Sequence, residues 1–353
     1  MTVYMPVLQA RQAELTGLGK IDLLAVPSVH PVLEAISYKS EDSLDVTVKR
    51  LRELAAKWLP KGIVAAVDCV HLDRRYGQDG KVPLREVSQV LAEMQIQIRP
   101  VVRVGASAGP SPQSWYASRE AAGLHGEGVC VRVLLAGGRA AEAGRIAERV
   151  SAAASWLGCR PEQVDVLVDA GAVSQRSQIT EAVGLVGSTL GALAGVPWRR
   201  MAVAASAFPD SISSVPPGGC VAFPRLDADL WRQLRASEQA WAGGLSFGDY
   251  GIAGTSLPGK GRSTPNLRYA AQGCWHTYRY PRDSNKKFST FYDLCGEVIG
   301  APWWSGGAFS WGDGEIAKRA RRHDGPGNAI SWRAFSLSHH LAVVLEELGG
   351  RAR

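Results

Sequence analysis

A regular alternation of short apolar segments and amphipathic helical segments is the feature that most constrains this chain. Eight segments rich in β-branched residues are predicted as strands, at residues 3–8, 23–29, 63–70, 98–105, 129–135, 164–169, 201–206 and 245–250. Helices are predicted between them, at residues 43–58, 84–94, 112–122, 140–157, 179–193 and 228–241, with a weaker segment at 13–18. Because strands that each precede a helix form parallel sheets covered by helices, the chain is predicted to be an α/β protein.

Eight strand–helix units over about 250 residues are the usual size of a closed (β/α)8 barrel. The competing fold is a doubly wound open sheet, which normally carries a glycine-rich first turn. Here the first strand runs into LQARQAEL, and no GxGxxG follows it. The pattern therefore favours a TIM-like (β/α)8 barrel.

The last hundred residues differ from the barrel pattern. Residues 257–265 form a turn-rich linker, residues 266–280 are predicted as one or two strands, and residues 337–348 as an amphipathic helix. We expect a barrel body at 1–254, an insertion after the eighth strand at 255–335, and a closing helix at 336–353. The insertion would lie over the carboxyl ends of the strands as a lid.

The net charge of +7 is concentrated at the C-terminus, where residues 255–353 carry +6 and residues 1–254 carry +1. A basic segment on a nearly neutral body indicates an anionic partner, such as a phosphate, a nucleotide or nucleic acid. A solvated basic surface explains the same composition. The six cysteines are scattered without a CxxC pair, and neither a signal peptide nor an apolar run of about 20 residues is present, so we expect a cytoplasmic protein that does not insert into membranes.

Barrel enzymes draw their reacting groups from the ends of strands, which selects a short set of polar residues. Asp68, Asp169 and Asp249 end or follow three predicted strands and are the candidate catalytic residues. Converging carboxylates would suit a divalent cation or a general acid and base. The alternative is that each aspartate caps a helix or pairs with an arginine. Arg103 and Ser206 also end strands and are candidate ligand-binding residues.

Arg132 interrupts the apolar strand VCVRVLL at a position that should face the barrel interior. A buried guanidinium needs a partner, either a carboxylate such as Asp169 on the next strand or the phosphate or carboxylate of a ligand. The sequence contains no zinc-binding spacing, Walker loop or GxSxG elbow, so any metal or cofactor stays undefined.

The densest unusual composition is WWSGGAFSWGD at residues 303–313, and five of the eleven tryptophans follow residue 270. Aromatic planes beside arginines can clamp a base, but tryptophans also anchor irregular segments to a core. The SWGD tetrapeptide, which contains Trp311, is interpreted as a site loop.

The stretches YMPVLQARQAEL, VDVLVD, FGDYG, LRYA, FSWGDGEIAKRA and ISWRAFSLSHHL resemble the bacteriophage-associated beta protein family over nearly the whole chain. The resemblance implies a barrel and a setting of phage–host conflict, either antiphage defence or a phage-encoded counterpart, but no reaction. Family members carry isoleucine–glutamate–proline in the second strand, whereas AVPSV stands there, which implies that a rim carboxylate is missing at Ser28. The motifs carry over as candidate site residues Arg11, Glu14, Asp169, Asp249, Tyr250, Arg268, Tyr269, Ser310, Asp313, Arg333, His339 and His340.

Two main functions remain open, beside a third, that of a structural virion component. The first is a barrel enzyme acting on a phosphate-bearing substrate, in particular a phosphodiester hydrolase, with aspartates moving protons or holding a metal and arginines neutralising charge. The second is a non-catalytic sensor or binding module that recognises a protein or nucleic acid.

Overall fold

The computed structural model describes residues 2–105, 112–135, 142–256, 264–282 and 288–349. The strands, in chain order, are β1 (Val7–Gln9), β2 (Val32–Glu34), β3 (Ala65–Asp68), β4 (Ile98–Gly105), β5 (Val129–Leu134), β6 (Val164–Ala172), β7 (Arg200–Ser206), β8 (Gly219–Pro224), β9 (Ser246–Asp249), β10 (Asn266–Ala271) and β11 (Cys274–Arg279).

The helices are α1 (Gln12–Leu18), α2 (Leu44–Trp58), α3 (Val70–Tyr76), α4 (Pro83–Glu93), α5 (Pro112–His125), α6 (Ala143–Trp156), α7 (Ile179–Leu193), α8 (Leu226–Arg235), α9 (Thr290–Gly300), α10 (Trp311–Ala320) and α11 (Ala329–Gly349). Helix α2 begins where its sequence predicts, because the side chain of Ser43 accepts a hydrogen bond from the backbone N–H of Val46.

Eight parallel strands form one sheet in the order β1-β2-β3-β4-β5-β6-β7-β9. The segment before β1 brings the two edges together, since Met5 donates to the carbonyl of Phe247 at 2.7 Å and Tyr4 donates to that of Ser28 at 2.8 Å. Helices alternate with these strands along the chain. The α/β class and a nearly closed, TIM-like barrel are therefore confirmed.

The second strand was misplaced by the sequence prediction. Residues 23–28 form a 3-10 helix that contains Pro27, and the side chains of Leu23 and Leu24 are 74% and 89% exposed. A proline has no N–H to give to a ladder, so this apolar run fails as a central strand. The true strand, β2, is short and ends at Glu34. The expected loss of a rim carboxylate at Ser28 is therefore wrong, because Glu34 supplies one.

Inward-facing side chains divide the barrel interior into layers. The middle layer is apolar and includes Val32, Val101 and Leu167. Side chains two residues away along a strand share its face. Below the apolar layer lies Asp165, which is paired with Arg199 at 2.7 Å and with further arginines, and above it lies the polar layer described in the next subsection.

The segment after β9 contributes to a second, smaller sheet. Strands β10, β11 and β8 pair antiparallel, so β8 joins it from the connection between β7 and α8. The prediction of strands within residues 266–280 is confirmed, whereas β8 was missed. Helices α9 and α10 pack on this sheet around a core that includes Tyr269, Phe291 and Trp332.

Helix α11 belongs to both cores. Its first half places Trp332 and Phe335 in the core of the small sheet, and its second half places Leu337, Leu341 and Val344 against the barrel. The expected boundary at residue 335 therefore falls inside one continuous helix. This continuity fixes the small sheet to the barrel wall.

All six cysteines are free thiols. Within the described ranges, no helix combines the length and the apolar character required to cross a membrane.

We predict that Gly312→Ala destabilises the protein, because a methyl group at this position of α10 would overlap the backbone carbonyl of Phe335 in α11. Overpacking of this kind costs about 1–3 kcal/mol. The measurement is the free energy of unfolding in urea. Gly296→Ala in α9 is the control, since its methyl group meets no described atom within 4 Å and alanine favours a helix. Equal effects of the two substitutions would contradict this packing.

Candidate functional site

The guanidinium of Arg132 lies at the centre of a polar layer inside the barrel. It donates to Glu34 and Asp68 from Nη1, both at 2.8 Å, and to Asp169 from Nε at 2.8 Å. Its Nη2 donates to the hydroxyl of Tyr250 at 2.7 Å, and that hydroxyl in turn donates to Asp169 at 2.7 Å. The predicted pairing of Arg132 with Asp169 is confirmed, and its donors are engaged within the protein.

Strand register explains why these side chains meet. Glu34 lies opposite Asp68 in the β2–β3 pairing, and both residues end their strands. Leu134 of β5, not Arg132, lies opposite Asp169 of β6, so Arg132 reaches upward toward the carboxyl ends of its neighbours. Every member of this layer is at least nine-tenths buried. The layer is thus the floor of the barrel mouth.

The floor holds Glu34 as an anion and the phenol of Tyr250 as a neutral donor. Burial alone would raise the pKa of Glu34, but the hydrogen bond from His71 and the charge of Arg132 outweigh it and lower the pKa from 4.5 to about 2. Burial, followed by the charge of Asp169, raises the pKa of Tyr250 well above its usual value. Glu34 therefore holds Arg132 rather than exchanging protons near neutral pH.

An open cleft lies beside this floor, at the carboxyl ends of β3 and β4. Its empty volume is about 1770 Å³, including space open to solvent, and its lining includes Asp73, Arg74, Lys81 and Arg103. Arg103 pairs with Asp68 at 2.8 Å and with Asp73 at 3.9 Å. Burial raises the pKa of Asp73 to about 6, with Arg103 opposing the shift and Asp68 adding to it. Asp73 is a carboxyl group that exchanges protons near neutral pH.

A small enclosed cavity lies on the other side of the floor, at the ends of β1 and β9. Gln9, Glu14, Glu34 and Tyr250 supply its polar lining, and it has room for about one water-sized group. The loop after β9 forms part of its wall, and Ser206 donates to the carbonyl of Ala253 in that loop at 3.2 Å. Ser206 thus positions the wall of the cavity.

The carboxylate of Glu14 pairs with one arginine and influences two others by its charge. Arg333 of α11 donates to it at 2.6 Å. Burial and then the charge of Arg333 lower the pKa of Arg268 to about 9, against the opposing charge of Glu14. Burial also lowers the pKa of Arg11, and here too Glu14 opposes the shift while Arg333 adds to it. This part of the mouth carries an excess of positive charge.

Asp249 does not join the other two aspartates, which corrects the expected convergence. Its neighbour Phe247 packs on Trp231 of α8, so residue 249 on the same strand face points to the helices and away from the interior. Its carboxylate accepts from Tyr4 at 2.6 Å and from Nε2 of His340 at 2.7 Å. Burial lowers the pKa of His340, and Asp249 opposes the shift. This pair fastens α11 to the barrel.

His339 belongs to a different buried cluster. Its Nδ1 lies 2.9 Å from Asp313, and its Nε2 lies 2.8 Å from the carbonyl of Ala270. Tyr269 donates to Asp313 at 2.9 Å and stacks on the ring of His339. Both histidines are fully buried. As adjacent helical residues they face different partners, as their spacing predicts.

The SWGD segment is a helix start and not an exposed site loop. Ser310 caps α10 by accepting from the N–H of Asp313 at 3.1 Å, and its hydroxyl donates to the carboxylate of Asp313 at 2.6 Å. Trp311 packs edge-on against Phe335. The remaining tryptophans of this segment also stack internally, such as Trp303 on His276. These residues anchor the small sheet.

The floor does not form a metal site. Three carboxylates converge there, but the guanidinium of Arg132 occupies their centre. Within the described part of the chain, no group of three or more His, Cys, Asp or Glu side chains is placed to hold a metal ion.

The sequence reasoning missed Glu34 and Asp73 as members of the mouth. Glu34 ends β2, a strand of only three residues (VLE), and the proline directly before it, Pro31, is the signal that could have marked its start. Asp73 lies on α3, within the segment that follows β3, and no motif marks it.

Comparison with known proteins now adds the family. The family model described as Beta protein matches residues 4–346, and the chain therefore belongs to this family. No curated protein matches the chain.

We predict that Arg132→Met destabilises the protein by about 3–5 kcal/mol at neutral pH, because three buried carboxylates lose their counter-charge. Glu34 has a folded pKa near 2 against an ordinary 4.5, so its stabilisation is complete above pH 4.5 and is lost as the pH falls toward 2. The variant lacks this contribution. Its deficit relative to the wild type should therefore be largest near pH 7 and shrink as the pH falls below 4.5.

Urea unfolding between pH 3 and 7 measures this deficit. Arg52→Met, which removes an exposed arginine of α2, is the control and should leave stability nearly unchanged. A deficit in Arg132→Met that is independent of pH would show that charge compensation is not the role of this arginine.

Proposed function

We propose that this member of the Beta protein family binds a phosphate-bearing ligand at the carboxyl-terminal mouth of its barrel, through Arg11, Arg268 and Arg333. The observation that carries the proposal is their charge balance: Glu14 pairs with Arg333 and is the one carboxylate whose charge acts on Arg11 and Arg268, and all three arginines are partly buried. A partly desolvated positive charge without a counter-ion is unfavourable, and a phosphate would supply both charge and acceptors.

Arg132 and Arg103 are less suited to this role. Arg132 is engaged by three carboxylates, and Arg103 by two. Arg268, by contrast, contacts the backbone carbonyl of Ile252 and the ring of Phe208, neither of which carries a charge. An anion would offset the cost of burying Arg268.

The small sheet would then serve as the lid over this ligand. Arg268 lies on β10 and Arg333 on α11, whereas Arg11 and Glu14 belong to the barrel. The ligand would be held from both sides. This arrangement supports assigning residues 255–335 to the covering of the mouth.

A second candidate function is hydrolysis of a phosphate ester in the open cleft. There Arg74 and Lys81 would neutralise the phosphate, and Asp73 would transfer the proton. The pKa of Asp73, about 6, favours it over Asp68 and Asp169, which are tied to arginines. Asp249 is excluded from this role, since it faces the helices.

The alternative of a nucleic-acid or protein sensor that uses the segment after residue 303 receives less support. Arg319 is buried, pairs with Glu315 at 2.7 Å and stacks on Phe335. The exposed arginines of the basic run at 318–322 are Arg321 and Arg322, the latter paired with Asp293 at 3.1 Å. A role in phage–host conflict, in antiphage defence or as a phage-encoded protein, stays a prediction from the family resemblance.

We predict that inorganic phosphate binds the wild type and raises its melting temperature, and that Arg268→Met abolishes both effects because the buried guanidinium is lost. The stability of the ligand-free variant should be unchanged or higher, since an under-compensated charge is replaced by an apolar chain of similar reach. Calorimetric titration and thermal unfolding measure the two quantities.

Arg85→Met is the matched control, since this exposed arginine pairs with Glu120 and is not one of the arginines near Glu14. It should bind phosphate like the wild type. Retained binding in Arg268→Met, or no binding by the wild type, would contradict the proposal.

For the second candidate we predict that the wild type hydrolyses 4-nitrophenyl phosphate and that Asp73→Asn lowers kcat by about 100-fold or more, the usual contribution of a general acid or base. Asp79→Asn, at an exposed position just after α3, is the control and should keep its activity. No turnover by the wild type, or full turnover by Asp73→Asn, would reject hydrolysis in the cleft.

A further inference from the structure

A second group of buried charges lies outside the barrel interior, where α8, β9 and α11 meet. Asp227, at the second position of α8, is 2% exposed. In the part of the chain that the structure describes, neither oxygen of its carboxylate accepts a hydrogen bond of ordinary geometry. A buried carboxylate without donors is costly when it is ionised, so burial favours the protonated form of Asp227.

Arg225, directly before the first turn of α8, is the guanidinium of this group. It is 1% exposed, and its Nη1 donates to the two oxygens of Glu347 in α11 at 3.0 and 3.1 Å. Its Nε and Nη2 have no acceptor among the described residues. The charge of Asp227 acts on Arg225 more strongly than that of Glu347 does. Arg225 therefore has two donors to spare near a carboxylate that lacks them.

The other charges of the group do not favour a further anion. The ionisable side chains that face it are Tyr4 before β1, Arg225 and Asp227 at the start of α8, Asp249 of β9, and His340 and Glu347 of α11. Burial lowers the pKa of His340, so this imidazole is neutral near pH 7. Of these six side chains, Arg225 is thus the one cation at that pH, and Asp249 and Glu347 already oppose its charge.

The pKa of Asp227 reflects these surroundings. Burial raises it from an ordinary 3.8 to about 7, against the charge of Arg225 and the N–H groups at the first turn of α8, while the charge of Asp249 adds to the rise. Asp227 therefore changes its charge close to neutral pH.

We propose that Asp227 is a proton switch for the attachment of the last turns of α11 to the barrel. When Asp227 is protonated, it needs no counter-charge, and Arg225 stays with Glu347. When Asp227 loses its proton to solvent, the free Nε and Nη2 of Arg225 turn toward it, and the contact with Glu347 weakens. Since α11 also belongs to the core of the small sheet, the two units are less firmly joined as the pH rises.

The first experiment compares urea unfolding of the wild type and of Asp227→Asn, whose side chain cannot ionise, between pH 5 and pH 8.5. A carboxyl group with a raised folded pKa stabilises fully below its unfolded pKa of 3.8, and this contribution is lost as the pH rises through about 7. The wild type should therefore lose stability relative to the variant across this range. We expect the two unfolding equilibrium constants to diverge by about tenfold or more, since each pKa unit corresponds to a factor of ten.

Hydrogen exchange of the backbone amides of α11 tests the switch itself. After correction for the intrinsic exchange rate, the wild type should lose protection at residues 345–349 between pH 6 and pH 8. In Asp227→Asn this protection should be the same at both pH values. Glu347→Gln, which removes the charge that holds Arg225 on α11, should show low protection at both.

Asp229→Asn is the matched control, because this aspartate of the same helix is only partly buried and pairs with Arg232 at 2.9 Å. It should keep the wild-type pH dependence of stability and of exchange. A constant ratio of the unfolding constants of Asp227→Asn and the wild type would overturn the proposal, since Asp227 would then be ionised throughout, with ordered water as its donor. Unchanged wild-type protection of α11 between pH 6 and pH 8 would overturn it as well, and this measurement does not require Asp227→Asn to fold.

Discussion

The buried guanidinium of Arg132 is the contact on which the barrel mouth depends. It reaches strands β2, β3 and β6 through their carboxylates, and the loop after β9 through Tyr250. A buried ion pair is not by itself a large source of stability, because desolvation offsets the attraction. Its consequence is geometric. It holds the ends of β2, β3 and β6 and the loop after β9 in fixed relative positions, and the open cleft and the small cavity beside them take their shape from this arrangement.

The small sheet depends on a second constraint, the sharing of α11 between two cores. Neighbouring histidines on this helix serve different units, His339 through Asp313 of α10 and His340 through Asp249 of the barrel. Rotation or translation of α11 would break the contacts of both histidines. This attachment brings Arg333 of α11, and with it Arg268 of β10, close to a glutamate that belongs to α1. The excess of positive charge near Glu14 therefore arises only when the small sheet and α11 pack on the barrel.

Much of the barrel was predictable, because the spacing of apolar residues along a strand or helix follows directly from which side chains are buried. Strand β4 was predicted with its observed bounds, whereas β2 was not, since an apolar run broken by Pro27 outweighed a strand of three residues. The site was harder to predict. Asp68, Asp169 and Asp249 all lie in the carboxyl-terminal halves of strands, yet the third faces outward, because one residue of register reverses the side of the sheet that a side chain occupies.

The sequence alone determined the fold class, the position of most strands and helices, the concentration of basic charge after residue 255 and the need of Arg132 for a buried partner. These are local properties, set by period, composition and the cost of desolvating a charge. The assembled fold was needed to show that Glu34 completes the floor, that Asp313 and His339 are an anchor, and that Arg333 pairs with Glu14 near Arg11 and Arg268. Residues so distant along the chain leave no local signal, and their charges act on each other only after folding brings them together.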